Sequence, residues 1–277
     1  MSTAPSDPTR GRPGSLRALI DARTLVASLI RRDIQARYRG SLLGGLWAFL
    51  QPLALLAIYT FVFGRIFRSR WPGLDQRGLG DFALTLFCGL VPFALLSECG
   101  TRGPSLVTSV PSYVKRTVFP LEILAFSLVG GAIFHALVSL GVLVAASLVM
   151  TRTLAWTLVL VPVVALPLIM LTLGLTWFLA SLGVFVRDLG LVIGLLLQVL
   201  LFLSPIFYPL EAVPEAYRAW MPLNPMTWTV ESFRRVVLWA QLPDWTGFGI
   251  WSGVTGAWMV LGYTWFMKTK HAFADVL

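Results

Sequence analysis

Few side chains in this sequence are suited to chemistry, and most of those are arginines. The 277 residues hold 13 Asp and Glu, 22 Lys and Arg, two His and two Cys. A carboxylate set in hydrocarbon is the usual coupler of a proton or sodium gradient, because a charge there is costly and is kept for use. Glu98 and Glu122 are the acids that fall within or beside long apolar runs. Both lie towards the ends of those runs, within reach of water or of an arginine such as Arg102 or Arg116. Neither is a midplane carboxylate, so ion-driven exchange is disfavoured. Direct use of ATP needs a Gly-x-x-x-x-Gly-Lys-Ser/Thr loop, whose backbone N–H groups and lysine cradle the phosphates. The chain has three lysines: Lys115 precedes Arg116, Lys268 follows Met267, and Lys270 precedes His271. None fits the pattern, so any nucleotide motor is a separate polypeptide.

The enzyme readings lack parts as well. His135 sits inside an apolar run and His271 near the C-terminal end, with no His-Glu-x-x-His, Gly-x-Ser-x-Gly or Ser-x-x-Lys element and no paired carboxylates. His135 reads either as a hydrogen-bonded packing residue or as a residue lining a pathway. Cys88 and Cys99, eleven positions apart, lack metal-ligand spacing and read as structural. No catalytic residue, metal ligand or cofactor site is expected.

The elements that must position these groups are apolar helices. Hydrophobic residues make up 57% of the chain and charged ones 13%, with a mean hydropathy of +0.78; soluble domains carry about 25% charged residues. That much apolar surface needs a bilayer as its solvent. Runs of about 20 apolar residues, the length that crosses the hydrocarbon, occupy roughly 42–64, 81–101, 121–149, 154–184, 189–208 and 247–267. The expected fold is an all-α integral membrane protein with six transmembrane helices. Gln51-Pro52 predicts a local break in the first run. Residues 1–16, rich in Pro, Ser, Gly and Arg, read as a disordered tail. Residues 17–40 alternate Leu25, Leu29, Ile30, Ile34 and Tyr38 with Arg31, Arg32, Arg37 and Arg39, an amphipathic helix suited to a membrane interface. Residues 209–246 are too polar to cross but rich in tryptophan, which predicts short helices dipping into the interface between spans five and six. Residues 41–270 form the membrane domain and 271–277 a C-terminal tail.

The net charge of +9 points to the membrane surface rather than to nucleic acid, because eight arginines precede the first apolar run. No cleavable leader is visible, so the N-terminus is expected to stay cytosolic. Lys and Arg then number fourteen on the cytosolic side and eight on the outer side, which puts both termini inside.

Three blocks of sequence carry a resemblance. The first is Arg32-Asp33-Ile34-Gln35-Ala36-Arg37-Tyr38-Arg39-Gly40-Ser41-Leu42-Leu43-Gly44 with Leu46-Trp47 and Gln51-Pro52. The second is Gly89-Leu90-Val91-Pro92, Ser97-Glu98, Tyr113-Val114-Lys115-Arg116 and Phe119-Pro120-Leu121-Glu122. The third is Ser204-Pro205-Ile206-Phe207-Tyr208-Pro209, Val213-Pro214, Leu223-Asn224-Pro225 and Phe233-Arg234. In this order and spacing they resemble the type 2 ABC transporter permeases that export polysaccharides, closest to the O-antigen and wall teichoic acid exporters. The chain departs at Ser112-Tyr113, where such permeases often carry an Asn.

The resemblance implies a homodimer joined by two copies of an ATP-binding cassette ATPase, with the pathway between the copies, in a bacterial inner membrane. It implies a coupling helix between Thr101 and Pro120, with Tyr113, Lys115 and Arg116 contacting the ATPase, and re-entrant helices over 211–240. The N-terminal helix would gate the cytosolic entrance. The substrate would be a glycan on undecaprenyl pyrophosphate, as in lipopolysaccharide biosynthesis. Arg31, Arg32, Arg37 and Arg39 can attract a pyrophosphate head, or serve only the positive-inside rule. Trp47, Tyr59, Phe63, Tyr208 and Trp228 can stack on sugar rings in a channel, or form interfacial belt and core. A small-molecule or drug exporter is the alternative within the superfamily, and a membrane glycan-modifying enzyme the alternative outside it.

Overall fold

A computed structural model describes residues 16–67, 71, 81–111, 120–152 and 154–276, and among them every regular element is helical. The main helices are α1 (Leu16–Tyr38), α2 (Trp47–Tyr59), α3 (Asp81–Arg102), α4 (Ile123–Thr151), α5 (Val161–Phe185), α6 (Leu189–Leu203), α7 (Pro225–Val237) and α8 (Trp245–Thr269). Their composition explains this: inside a bilayer each backbone N–H and C=O must be satisfied within its own segment, and a helix does that. Several hydroxyls in these helices are satisfied the same way. Thr85, Thr172, Thr176 and Thr255 each donate to the carbonyl four residues back.

Helix α2 runs on through Pro52, and after Tyr59 it widens into a π-type turn over Thr60–Ile66. Helix starts follow local capping chemistry. Asn224 accepts from the Met226 N–H at 2.9 Å ahead of Pro225, and Asp244 accepts from the Thr246 and Gly247 N–H groups at 3.1 Å each.

Helix α3 is the hub. Sixteen of its residues are buried, and it packs on α4, α5, α6 and α7. One apolar core joins Leu95, Leu96 and Cys99 of α3 to Leu128 of α4, Trp177 of α5 and Phe266 of α8. A second joins Phe87 and Val91 of α3 to Leu143 of α4, Val164 of α5 and Phe233 of α7. Helices α5 and α8 run parallel in close contact: a Cβ on Gly262 would sit 2.3 Å from the Gly174 carbonyl oxygen, and Ser181 Oγ lies 2.6 Å from Thr269 Oγ1. Small residues at a crossing are how helices approach when lipid offers no hydrophobic contrast.

Among the described residues, four segments are long and apolar enough to cross a membrane: Gly44–Ile66, Asp81–Ser105, Ile123–Thr151 and Trp156–Phe185. These coincide with the first four expected crossings. The fifth is 15 residues long. The sixth has 25 residues, but Trp, Gly and Thr dilute its hydropathy. The tryptophan-rich stretch after α6 forms short turns at Leu210–Ala212, Glu215–Arg218 and Met221–Leu223 before α7. Tyr217, Trp220 and Leu223 there are exposed, whereas α7 is buried against α3.

Candidate functional site

Two polar clusters sit on α3, and each draws in a helix from elsewhere. The first gathers at its C-terminal end. The last turns of α1 lie along Gly130–His135 of α4, admitted by two glycines: a Cβ on Gly130 would meet Ile30 at 2.4 Å, and one on Gly131 would meet Asp33 at 2.7 Å. This places Arg37 Nη1 2.5 Å from Glu98 Oε1 and 2.7 Å from His135 Nδ1. Arg102 bonds Glu98 at 3.1 Å one turn along α3, as the sequence suggested, and pairs with Asp33 through both guanidinium nitrogens. Tyr38 meets His135 edge-on at 6.0 Å. Glu98 and His135 are mostly buried, while Arg37 and Arg102 are about two-fifths exposed.

These groups line a cavity of about 510 Å³ whose wall also carries Gln51, Ser97, Thr101 and Ser139 beside Pro52, Leu55, Leu90 and Leu201. The lining is amphipathic, combining charged groups with apolar side chains. The other arginines proposed for the gate lie near it. Arg31, Arg32 and Arg39 are exposed, and Arg32 and Arg39 border an open groove with Tyr38, Gly44 and Gly45. Glu122, the second acid singled out in the sequence, lies 3.5 Å from Lys270, and its other expected partner, Arg116, is outside the described residues.

The second cluster surrounds Arg234 of α7, wholly buried about 20 Å away along α3 at 1.5 Å per residue. Its guanidinium donates to the Thr85 carbonyl at 3.2 Å, Pro205 at 2.7 Å, Ile206 at 2.8 Å and Glu231 Oε1 at 2.7 Å. It also stacks 4.4 Å from the centre of the Trp71 ring. Such satisfaction is what allows an arginine to be buried at all. Two of the channel candidates adjoin it: Tyr59 packs on Phe63 at 6.1 Å, Phe63 on Phe82 at 5.3 Å, and Phe82 on Trp71 at 5.6 Å. The others are elsewhere. Tyr208 donates to the Phe202 carbonyl at 3.0 Å. Trp228 is buried against Phe248 at 6.2 Å, and Trp47 is exposed on α2. Tyr113, Lys115 and Arg116 lie outside the described residues.

Sequence reasoning passed over Asp33 and Arg234. An acid four residues before Arg37 in an arginine-rich helix was a readable signal for Asp33. Arg234 is one of the eight basic residues that the charge count puts in the outer segments, and in the structure it is buried.

Residues 24–238 match the family model described as "ABC-2 type transporter". That range runs from within α1 to the end of α7 and takes in both polar clusters. The chain belongs to the ABC-2 type transporter family. Among the relatives of this ABC-2 chain, an O-antigen export system permease protein RfbA of Myxococcus xanthus is 31% identical over 83% of the chain and 86% of its own length. Another of that name, from Klebsiella pneumoniae, is 27% identical over 91% and 95%. The polysialic acid transport protein KpsM of Escherichia coli is 26% identical over 77% and 81%. Both polar clusters are therefore features of an ABC-2 transporter chain.

Proposed function

We propose that this chain is the membrane subunit of an exporter that moves a lipid-linked, O-antigen-like polysaccharide across the bacterial cytoplasmic membrane, driven by a separate ATPase. The observation that carries the reading is the match at nearly full length to permeases named for O-antigen export. The composition and the missing coupling residues agree with it: the chain has no midplane carboxylate and no phosphate loop of its own.

In this reading the chain crosses the bilayer six times with both termini cytosolic. Helix α6, about 22 Å long at 1.5 Å per residue, falls short of a core about 30 Å thick. Its end at Ser204-Pro205 is then within the membrane, and the segment 211–240 re-enters from the outer side. Leu191, Leu195, Leu196, Val199 and Phe202 of α6 are exposed, a face for lipid or for a second copy of the chain. The assembly is a homodimer with two ATPase subunits and a pathway between the copies. The ATPase docks on the 101–120 segment through Tyr113, Lys115 and Arg116. The anionic undecaprenyl pyrophosphate head approaches α1 through Arg31, Arg32, Arg37 and Arg39, while Trp47, Tyr59, Phe63, Tyr208 and Trp228 offer stacking faces to sugar rings. Residues 1–16 and 271–277 are tails on either side of the interface helix at 17–40 and the membrane domain at 41–270.

Deleting the gene should abolish surface polysaccharide, and plasmid-borne wild type should restore it. Purification from native membranes should bring down an ATPase with a phosphate loop. Normal surface polysaccharide together with new sensitivity to a toxic small molecule would transfer the reading to a drug exporter. An active assembly without an ATPase would end it.

A further inference from the structure

His135 has one ring nitrogen that two neighbours need in opposite protonation states. Its Nδ1 lies 2.7 Å from Arg37 Nη1 and 3.1 Å from Glu98 Oε2. A guanidinium can only donate and a carboxylate can only accept. With Arg37 in place, Nδ1 must be the acceptor, so the imidazole is neutral and carries its proton on Nε2. That nitrogen is enclosed and has no hydrogen-bond partner, and Nδ1 then faces Glu98 lone pair to lone pair. When His135 is protonated, Nδ1–H donates to Glu98 and can no longer accept from Arg37. Occupation by Arg37 and protonation of His135 therefore exclude each other.

The charges around this nitrogen are balanced only while Arg37 stays. Among the described residues, the charged and titratable groups facing it are Asp33, Arg37 and Tyr38 from α1 and Glu98 and Arg102 from α3; Gln51 of α2 and Leu201 of α6 in the same cavity are neutral. If Arg37 turns to another anion, Arg102 alone faces two carboxylates. A proton on His135 restores the balance and satisfies Glu98.

The geometry points to a proton-linked exchange site for a pyrophosphate diester at this cavity: the lipid's head takes Arg37 from Glu98, and His135 takes up a proton from water in compensation. This rests on the export reading above and adds how the head is admitted and released. The cavity suits such a ligand, with Arg37 for the phosphates and Pro52, Leu55 and Leu90 for the start of the apolar chain. Because Arg37 belongs to α1, the exchange also loosens one of the two ion pairs that tie α1 to α3, leaving the pair between Asp33 and Arg102. Release is favoured where the pH is higher and the imidazole gives its proton back.

Linkage fixes the sign. A ligand whose binding takes up one proton binds more tightly as pH falls, by at most tenfold per pH unit. The test uses the whole transporter, ATPase included, in phosphatidylcholine nanodiscs, with farnesyl-pyrophosphoryl-N-acetylglucosamine as probe; its diester phosphates do not titrate near neutrality. The wild type should bind about tenfold more tightly at about pH 6 than at about pH 8, across the range where a histidine titrates. Arg37→Gln should weaken binding by about tenfold or more, the worth of a charge-assisted hydrogen bond. Glu98→Gln should tighten binding at the higher pH, because the competing carboxylate is gone, and lose the pH slope. His135→Gln should keep the high-pH affinity and also lose the slope; since glutamine keeps an acceptor for Arg37, monodisperse assembly is expected. A slope that survives in His135→Gln, or a Glu98→Gln that binds more weakly, overturns the proposal. Displacement of the probe by phosphatidylglycerol discs overturns the assignment to the pyrophosphate head in favour of ordinary anionic lipid. Flat pH dependence with glycan export intact would sink this exchange alone, whereas normal surface polysaccharide in the deletion strain would sink the export reading beneath it.

Discussion

Both polar clusters on α3 are built on arginine, and they use it in opposite ways. At one end Arg37 and Arg102 face carboxylates and an imidazole, and each is about two-fifths exposed. Their partners are charged or titratable side chains, and a different anion can take the place of the carboxylates. At the other end Arg234 is sealed, and three of its four hydrogen-bond partners are backbone carbonyls or lie at the break after α6. Carbonyls cannot be neutralised or displaced by a ligand's charge. One cluster is thus made for exchange and the other for permanence, although the residue type is the same. Exposure and the nature of the acceptor decide which role an arginine takes.

The strongest way to break this contrast is at the sealed end. Arg234→Met should cost about 3–5 kcal/mol, because it strands Glu231 and the carbonyls of Pro205 and Ile206. Thermal unfolding in detergent should show the loss. Arg234→Lys should recover little, since an ammonium lacks the planar fork that reaches Thr85, Pro205 and Ile206 together. Next in size is Gly130→Leu, which has no room beside Ile30 and should cost about 1–3 kcal/mol by overpacking. Spin labels on α1 and α4 should read a longer and broader distance distribution.

Smaller still is the coupling between Asp33 and Arg102. Exchanging them (Asp33→Arg with Arg102→Asp) should restore most of what either single change loses, with a coupling energy of about 0.5–3 kcal/mol in a double-mutant cycle. Raising the salt from about 0.1 M to about 1 M should shrink that coupling, since the Debye length falls from about 10 Å to about 3 Å, and should leave the Arg234 effect untouched. The smallest change in stability belongs to Trp47→Ala, within about 0.5 kcal/mol for an exposed side chain. If export falls nonetheless, Trp47 meets the glycan; equal export removes it from the channel.

How legible this was in the sequence follows from the physics of each signal. The four long apolar crossings were readable because hydropathy over about 20 residues is a sum that single substitutions barely change. Helix α1 was readable from Leu25, Leu29 and Ile30 opposed by arginines. The start of α7 was visible in Asn224-Pro225, where a side-chain acceptor and a preset φ specify a helix start locally. Glu98 was recognisable as a charge needing a partner, and Arg102 one turn on was the local candidate. What the sequence withheld were the long-range meetings. Nothing local joins Arg37 to His135, 98 residues apart, or Arg234 to Thr85, 149 apart. Charge counting even misfiled Arg234, because a tally by loop assumes that basic residues outside the spans face water. Trp228 shows the same limit: its type suits a sugar platform or a core, and nothing local announces its packing against Phe248.

The glycine contact between α5 and α8 has a mechanical consequence. The two parallel helices touch at Met170–Thr255, at Gly174–Gly262 and at Ser181–Thr269, three fixed points spread over more than ten residues. Two rods bolted at three points behave as one beam, which can tilt but cannot shear. A push delivered near Thr269 must reach the Asp244 cap almost undiminished, so during a transport cycle the distance between labels on α5 and α8 should hold steady while distances from either helix to α1 change.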